Sequence, residues 1–196
     1  MCIEEVAKGS DALLVAFNGG MFGGNAVAQV LFGNVNPSGK LSISFPRHSG
    51  QLPVYYNSLP GWHGEKYMDI EKTPLYAFGQ GISYTTFSYS NLIIFEDKKI
   101  SVDVRNTGDV DGLEIIQVYY NDVVSSVMTP EKQLINFKKV FIPAGEMKTV
   151  VFELKEEDLS LVNKDEQRVT EPGEFEIMVG ASSLDQDLLK AKIVIM

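Results

Sequence analysis

The chain has 196 residues, of which 44% are hydrophobic and 22% charged, and this excludes a wholly disordered polypeptide. Its net charge of −9 repels nucleic-acid backbones and anionic membrane surfaces, so both are excluded as general partners. A single cysteine, Cys2, rules out an internal disulfide and a cysteine-built zinc site.

No apolar run approaches the roughly 18–20 residues that span a bilayer. The first ten residues, MCIEEVAKGS, place two glutamates before the first lysine and form no secretory signal. The expected location is therefore cytoplasmic.

Charge divides the chain: residues 1–84 carry a net −1 and residues 85–196 a net −8. The first part is rich in Gly, Pro, Tyr and Phe, the second in Val, Ile, Lys and Glu. The composition shift predicts two domains, 1–84 and 85–196.

In chain order, Ile3–Lys8 reads as a short helix and the apolar run Ala12–Phe17 as a buried parallel strand. Glycines 19, 20, 23 and 24 form a loop. Asn25 is placed to cap a helix over Ala26–Phe32, stopped by Gly33. Asn36–Gly39 is expected to turn into a strand at Leu41–Phe45. From Pro46 to Gly81 the chain is aromatic and interrupted by prolines, a long irregular segment of the kind that is functional or wraps a neighbour. Within it, Gly79 and Gly81 are expected to take positive φ beside an aromatic cluster, Tyr76, Phe78, Tyr84 and Phe87.

The second part alternates. Ile100, Val102 and Val104 face one way, and Ser101, Asp103 and Arg105 the other. Further strands are expected over Glu114–Tyr120, Leu134–Ile142, Lys148–Leu154, around Phe175, Ile177 and Val179, and over Lys190–Met196. Turns stand at Asn106–Asp109, Pro143–Glu146 and Glu171–Gly173. The expected fold is an α+β piece, part of a flavodoxin-like α/β-sandwich, followed by an all-β, seven-stranded sandwich of fibronectin type III or immunoglobulin type. Tyr119, Tyr120, Phe137, Phe141, Phe152 and Phe175 are assigned mostly to its core.

Several long runs carry a resemblance. GGNAVAQVLFGNVNPSGKLSISFPRHSGQLPVYYN (Gly23–Asn57) resembles the end of the α/β-sandwich domain of glycoside hydrolase family 3, the β-glucosidases, β-xylosidases and related retaining exo-acting enzymes. PLYAFGQGISYTTFSYSNL (Pro74–Leu92) resembles that family's junction into its fibronectin type III-like domain. VRNTGDVDGLEIIQVYYND, LINFKKVFIPAGEMKTVVFEL and VTEPGEFEIMVGASS resemble that domain itself. The chain departs at Phe17–Gly20, where many members have Trp-Tyr-Pro-Gly, and at Met21-Phe22, where many carry a glutamate.

The resemblance implies a reaction that needs two carboxylates about 5 Å apart. In the family the nucleophile lies in an N-terminal barrel and the acid/base upstream of the strand that Ala12–Phe17 resembles. No catalytic residue is therefore assigned here. The chain is expected to be the C-terminal part of a β-glucosidase-like enzyme, inactive by itself, with the missing barrel and α/β domain as partners, a β-glucoside-type saccharide as substrate and self-association open to it. No cofactor is expected. His48 and His63 are the only histidines, and no metal site is expected. Leu59–Pro74 holds the only tryptophan, and Trp62, His63, Glu65 and Tyr67 are the candidate sugar contacts. Two readings stand for this loop, a lid at a sugar pocket or an interdomain strap. Arg47 is read either as a domain bridge or as a surface residue. The competing functions are an independent carbohydrate-binding module and a structural β-sandwich.

Overall fold

The computed structural model describes residues 2–61 and 68–196. It begins with α1 (Glu4–Lys8) and α2 (Gly23–Leu31). Nine strands follow: β1 (Phe87–Ile94), β2 (Lys99–Asn106), β3 (Gly112–Asp122), β4 (Gln133–Ile142), β5 (Met147–Glu153), β6 (Leu161–Val162), β7 (Arg168–Val169), β8 (Gly173–Gly180) and β9 (Leu188–Ile195).

The strands form an open three-stranded sheet, β1-β2-β5, an open four-stranded sheet, β4-β3-β8-β9, and the small β6-β7 hairpin. Every pairing is antiparallel. The two larger sheets close one core, in which Ile100, Val102, Val104 and Phe152 meet Ile116, Val118, Tyr120, Phe175, Ile177 and Val179. Alternation explains this directly, because every second side chain of each strand points between the sheets. The expected fold class, an α+β piece followed by a fibronectin type III-like β-sandwich, is what the chain adopts.

Alternation breaks in one strand, and three core assignments need correction. β1 carries no simple alternation, because its pairing with β2 shifts register between Ser90 and Ile93, where Asn91 has φ 52°. Of the six aromatics assigned mostly to the core, Phe137 and Phe141 lie outside it, 61% and 48% exposed on the outer face of β4, and Tyr119 is buried on the outer face of β3 against Met178 and Leu188.

The first part departs further. Ala12–Phe17 is not a strand; it has no pairing partner among the described residues, and Leu13, Leu14 and Phe17 are exposed. A parallel strand needs neighbours to satisfy its N–H and C=O groups, and a run without them stays irregular. Asn25 does not cap α2. The helix starts two residues earlier at Gly23, and the Asn25 carboxamide accepts from Gln29 Nε2 inside it at 3.0 Å. Gly33, at φ 74°, ends the helix as expected. Asn36–Gly39 is not a turn; Asn36 instead accepts from the Tyr84 N–H (2.8 Å) and donates to the Asp111 carbonyl (2.9 Å). Leu41–Phe45 forms only a narrow antiparallel contact with 75–80, through Phe45 N–H to Tyr76 O at 2.8 Å and Leu41 N–H to Gln80 O at 2.9 Å. Neither helix buries a residue.

Candidate functional site

The candidate site is the stem of the aromatic loop and its seat on the sandwich. Trp62, His63, Glu65 and Tyr67 lie outside the described residues. The loop's two legs, however, are both fixed.

The first clamp is Gln51, which is 2% exposed. Its Nε2 donates to the carbonyls of Glu71, Lys72 and Thr73 at 3.2, 2.9 and 3.1 Å. Its Oε1 accepts from the Arg47 N–H at 2.8 Å. Arg47 itself reaches the Thr73 carbonyl through Nε (3.0 Å) and the Thr73 hydroxyl through Nη2 (3.3 Å). Arg47 therefore ties the two ends of the loop rather than standing free. His48 uses Nδ1 to accept from the Gly50 N–H at 3.1 Å.

The second clamp is Tyr56. Its ring stacks on Phe78 with centroids 4.1 Å apart and meets the Tyr119 ring edge-on at 5.9 Å. Its hydroxyl accepts from the Leu134 N–H at 3.3 Å. Two residues on, the Ser58 carbonyl accepts from the Glu131 N–H at 3.1 Å. Tyr119 is fully buried on the outer face of β3, and that burial pushes its phenol well above the ordinary tyrosine range. Tyr55, beside Tyr56, is exposed.

The returning leg of the loop is fixed by Gly79 and Gln117. Gly79 has φ 76°, as expected. Its carbonyl accepts from Gln117 Nε2 at 3.1 Å, and the same nitrogen reaches the Ala181 carbonyl at 2.6 Å while Tyr119 donates to Gln117 Oε1 at 2.5 Å. Gly81 differs from expectation: its φ is not positive, and it is needed because a Cβ there would stand 2.6 Å from the Gly39 carbonyl.

Sequence reasoning missed the ion pair that joins the two parts of the chain. Lys40 Nζ lies 3.1 Å from Glu114 Oε1 and 3.1 Å from the Gly81 carbonyl. The Tyr89 hydroxyl donates to the same carboxylate oxygen at 2.8 Å. Burial, and then the Glu114 charge, hold the Tyr89 phenol well above its usual range. One signal was present: Glu114 shares the inward parity of Ile116, Val118 and Tyr120. Gln51 gave none, since it follows the polar run His48-Ser49-Gly50.

Chemically, these groups position backbone. Glu114 is committed to Lys40 and Tyr89. Among the described residues, no three His, Cys, Asp or Glu side chains gather as a metal cage.

Comparison with known proteins agrees with this layout. Residues 1–84 match the profile of the glycosyl hydrolase family 3 C-terminal domain, and residues 114–183 that of a fibronectin type III-like domain. A β-xylosidase of Formosa agariphila is 42% identical over 100% of this chain and 28% of its own length. A periplasmic β-glucosidase of Salmonella typhimurium is 43% identical over 89% of this chain and 25% of its own. The structure of a β-glucosidase from Listeria innocua in complex with glucose superposes with TM-score 0.89 at 40% identity, covering 98% of this chain and 29% of that one. The chain thus spans about a quarter of the length of the relatives it matches.

Proposed function

We propose that this chain, which belongs to glycoside hydrolase family 3 and corresponds to the C-terminal part of that family's members, completes the α/β domain of a larger β-glycosidase and braces it with its β-sandwich. The larger enzyme hydrolyses terminal β-glycosidic bonds with retention, using a carboxylate pair supplied by other segments. The chain by itself is catalytically silent.

The observation that carries this reading is the apolar surface of the first part. Phe17, Met21, Phe22, Leu31 and Phe32 are 62–92% exposed around a helix that buries nothing. Large apolar side chains exposed together in one short stretch mark a surface made for contact, and the remainder of an α/β-sandwich is the partner that fits it. Within that assembly the loop held by Gln51 and Tyr56 borders the sugar pocket, with Trp62, His63, Glu65 and Tyr67 as its contacts.

The test is direct. The purified chain is assayed with aryl β-glucoside and β-xyloside beside a host-enzyme control, and then joined to the barrel and α/β segments of the Listeria innocua relative. Activity from the joined protein and none from the chain alone is expected. Sustained hydrolysis by the chain alone overturns the reading.

A second reading, a carbohydrate-binding module, draws on Phe137 and Phe141, which share the exposed outer face of β4. Retention of the chain on insoluble β-glucan, lost on Phe137→Ala, is the result that favours it.

A further inference from the structure

β1 and β9 are edge strands of the two larger sheets and meet along one flank of the sandwich. They do not close that flank fully. Beside the turn that carries the chain from β8 into β9 lies an open-mouthed cavity of about 260 Å³. Phe87 and Tyr89 of β1, Gln186 and Asp187 of the turn, and Leu188 and Leu189 of β9 line it.

The turn side of the cavity is firmly held. It approaches the end of β8 so closely that a Cβ on Gly180 would stand 1.8 Å from the Asp187 carbonyl. The Ser182 hydroxyl, buried at 1% exposure, donates to Asp187 Oδ2 at 2.5 Å and accepts from the Leu184 N–H at 3.1 Å. The Asp187 N–H returns to the Leu184 carbonyl at 3.0 Å. The Asp187 carboxylate is thus fixed through one oxygen, and Oδ1 has no hydrogen-bond partner among the described residues. Gln186 is exposed, and its carboxamide has none there either. On the β1 side, the Tyr89 hydroxyl is committed to Glu114 at 2.8 Å, so Tyr89 offers the cavity its ring.

We propose that this cavity binds one ring of a neutral sugar, either free or at the end of a glycan. Its volume falls below the roughly 300–1,000 Å³ of pockets for drug-sized ligands, which suits a single ring. A sugar ring presents an apolar C–H face and a rim of hydroxyls. Phe87 and Tyr89 supply aromatic surface for the face. Asp187 Oδ1 accepts from hydroxyls, and the Gln186 amide both donates and accepts. Asp187 is the one charged residue in the lining, so an acidic or phosphorylated sugar is repelled. A single carboxylate also falls far short of the oxygen cage that a hard metal ion takes. The inference stands on the cavity and is independent of the proposed hydrolytic role.

The experiment titrates the full, 15N-labelled chain with glucose, xylose and cellobiose, and in parallel arms with glucuronate and choline chloride, reading amide shifts. Saturable shifts at Phe87, Tyr89 and Gln186–Leu189 are expected with the neutral sugars, at a Kd on the order of 1 mM. Equal affinity for glucose and cellobiose assigns the site to a free sugar, and tighter cellobiose binding to a chain end. Asp187→Asn, which keeps an acceptor for Ser182, weakens binding on the order of tenfold. Gln186→Ala, at an exposed position, weakens it about threefold and gives an independent reading should the first variant fold poorly. No saturable shift with any neutral sugar overturns the proposal, as does undiminished binding in both variants, or tighter binding of glucuronate or choline than of glucose.

Discussion

Lys40 and Glu114 form a buried ion pair, 3.1 Å long, between the glycine-rich first part of the chain and the β-sandwich. Only 11% of the lysine side chain and 4% of the glutamate remain exposed. The pair is extended by the Gly81 carbonyl on one side and the Tyr89 hydroxyl on the other, so each charge meets more than its partner. Desolvating two charges offsets much of their attraction. Breaking the pair from one side is a different matter, because the remaining charge stays buried.

Glu114→Ala leaves Lys40 buried without a counter-charge and the Tyr89 hydroxyl without its acceptor. A loss of about 3–5 kcal/mol is expected. Urea unfolding of the chain measures it. The double variant Lys40→Met, Glu114→Leu should recover most of the loss, since no charge then remains inside.

Gln51→Leu removes the donor shared by three carbonyls and the acceptor of the Arg47 N–H. Leaving such buried groups unpaired costs about 1–3 kcal/mol each at most, and part of that is recovered by Arg47, which still reaches Thr73. The expected signature is local: faster hydrogen exchange at the Arg47 amide, with the amides of Val102 and Val104 in the sandwich core unchanged. Equal acceleration at both places would show that Gln51 acts on the whole fold instead of the loop stem.

Gly79→Ala meets two obstacles. The residue sits at φ 76°, and a Cβ would lie 2.0 Å from Gln117 Oε1. Gln117 cannot move aside freely, because Tyr119, Ala181 and Gly79 itself hold its amide. A loss of about 2–4 kcal/mol is expected, read from the shift of the denaturation midpoint.

Asp122 gives a pH dependence of known sign. Burial raises its carboxyl above the ordinary aspartate value of 3.8 in the folded chain. The folded state then binds the proton more tightly than the unfolded one. Its contribution to stability is fully present below the unfolded value and is lost as pH rises through the folded one. Asp122→Asn, which is neutral throughout, should therefore match the wild type in acid and exceed it at neutral pH. Paired denaturation curves at pH 3 and pH 7 check this; a wild type that gains on the variant as pH rises contradicts it.

The sandwich was legible because its strands carry their own instructions. Ile100, Val102 and Val104 alternate with polar residues, Phe175, Ile177 and Val179 do the same, and Gly145 at φ 73° turns the chain between two strands. A period of two fixes which side chains are inside whatever the neighbours are. Where that period breaks, at the Ser90–Ile93 register shift of β1, the strand was not readable.

Ala12–Phe17 shows the opposite dependence. Its apolar composition suits a buried strand, but a strand's hydrogen bonds belong to its neighbours, and it finds none among the described residues. The sequence alone therefore settled the sandwich, the aromatic character of the loop and the lack of a disulfide. Only the tertiary structure decided that Gln51 is a clamp, that Lys40 answers Glu114 from 74 positions away, and that Oδ2 of Asp122 is buried with no hydrogen-bond partner among the described residues. Such long-range pairings leave no local periodicity, because they arise from which surfaces the folded chain brings together.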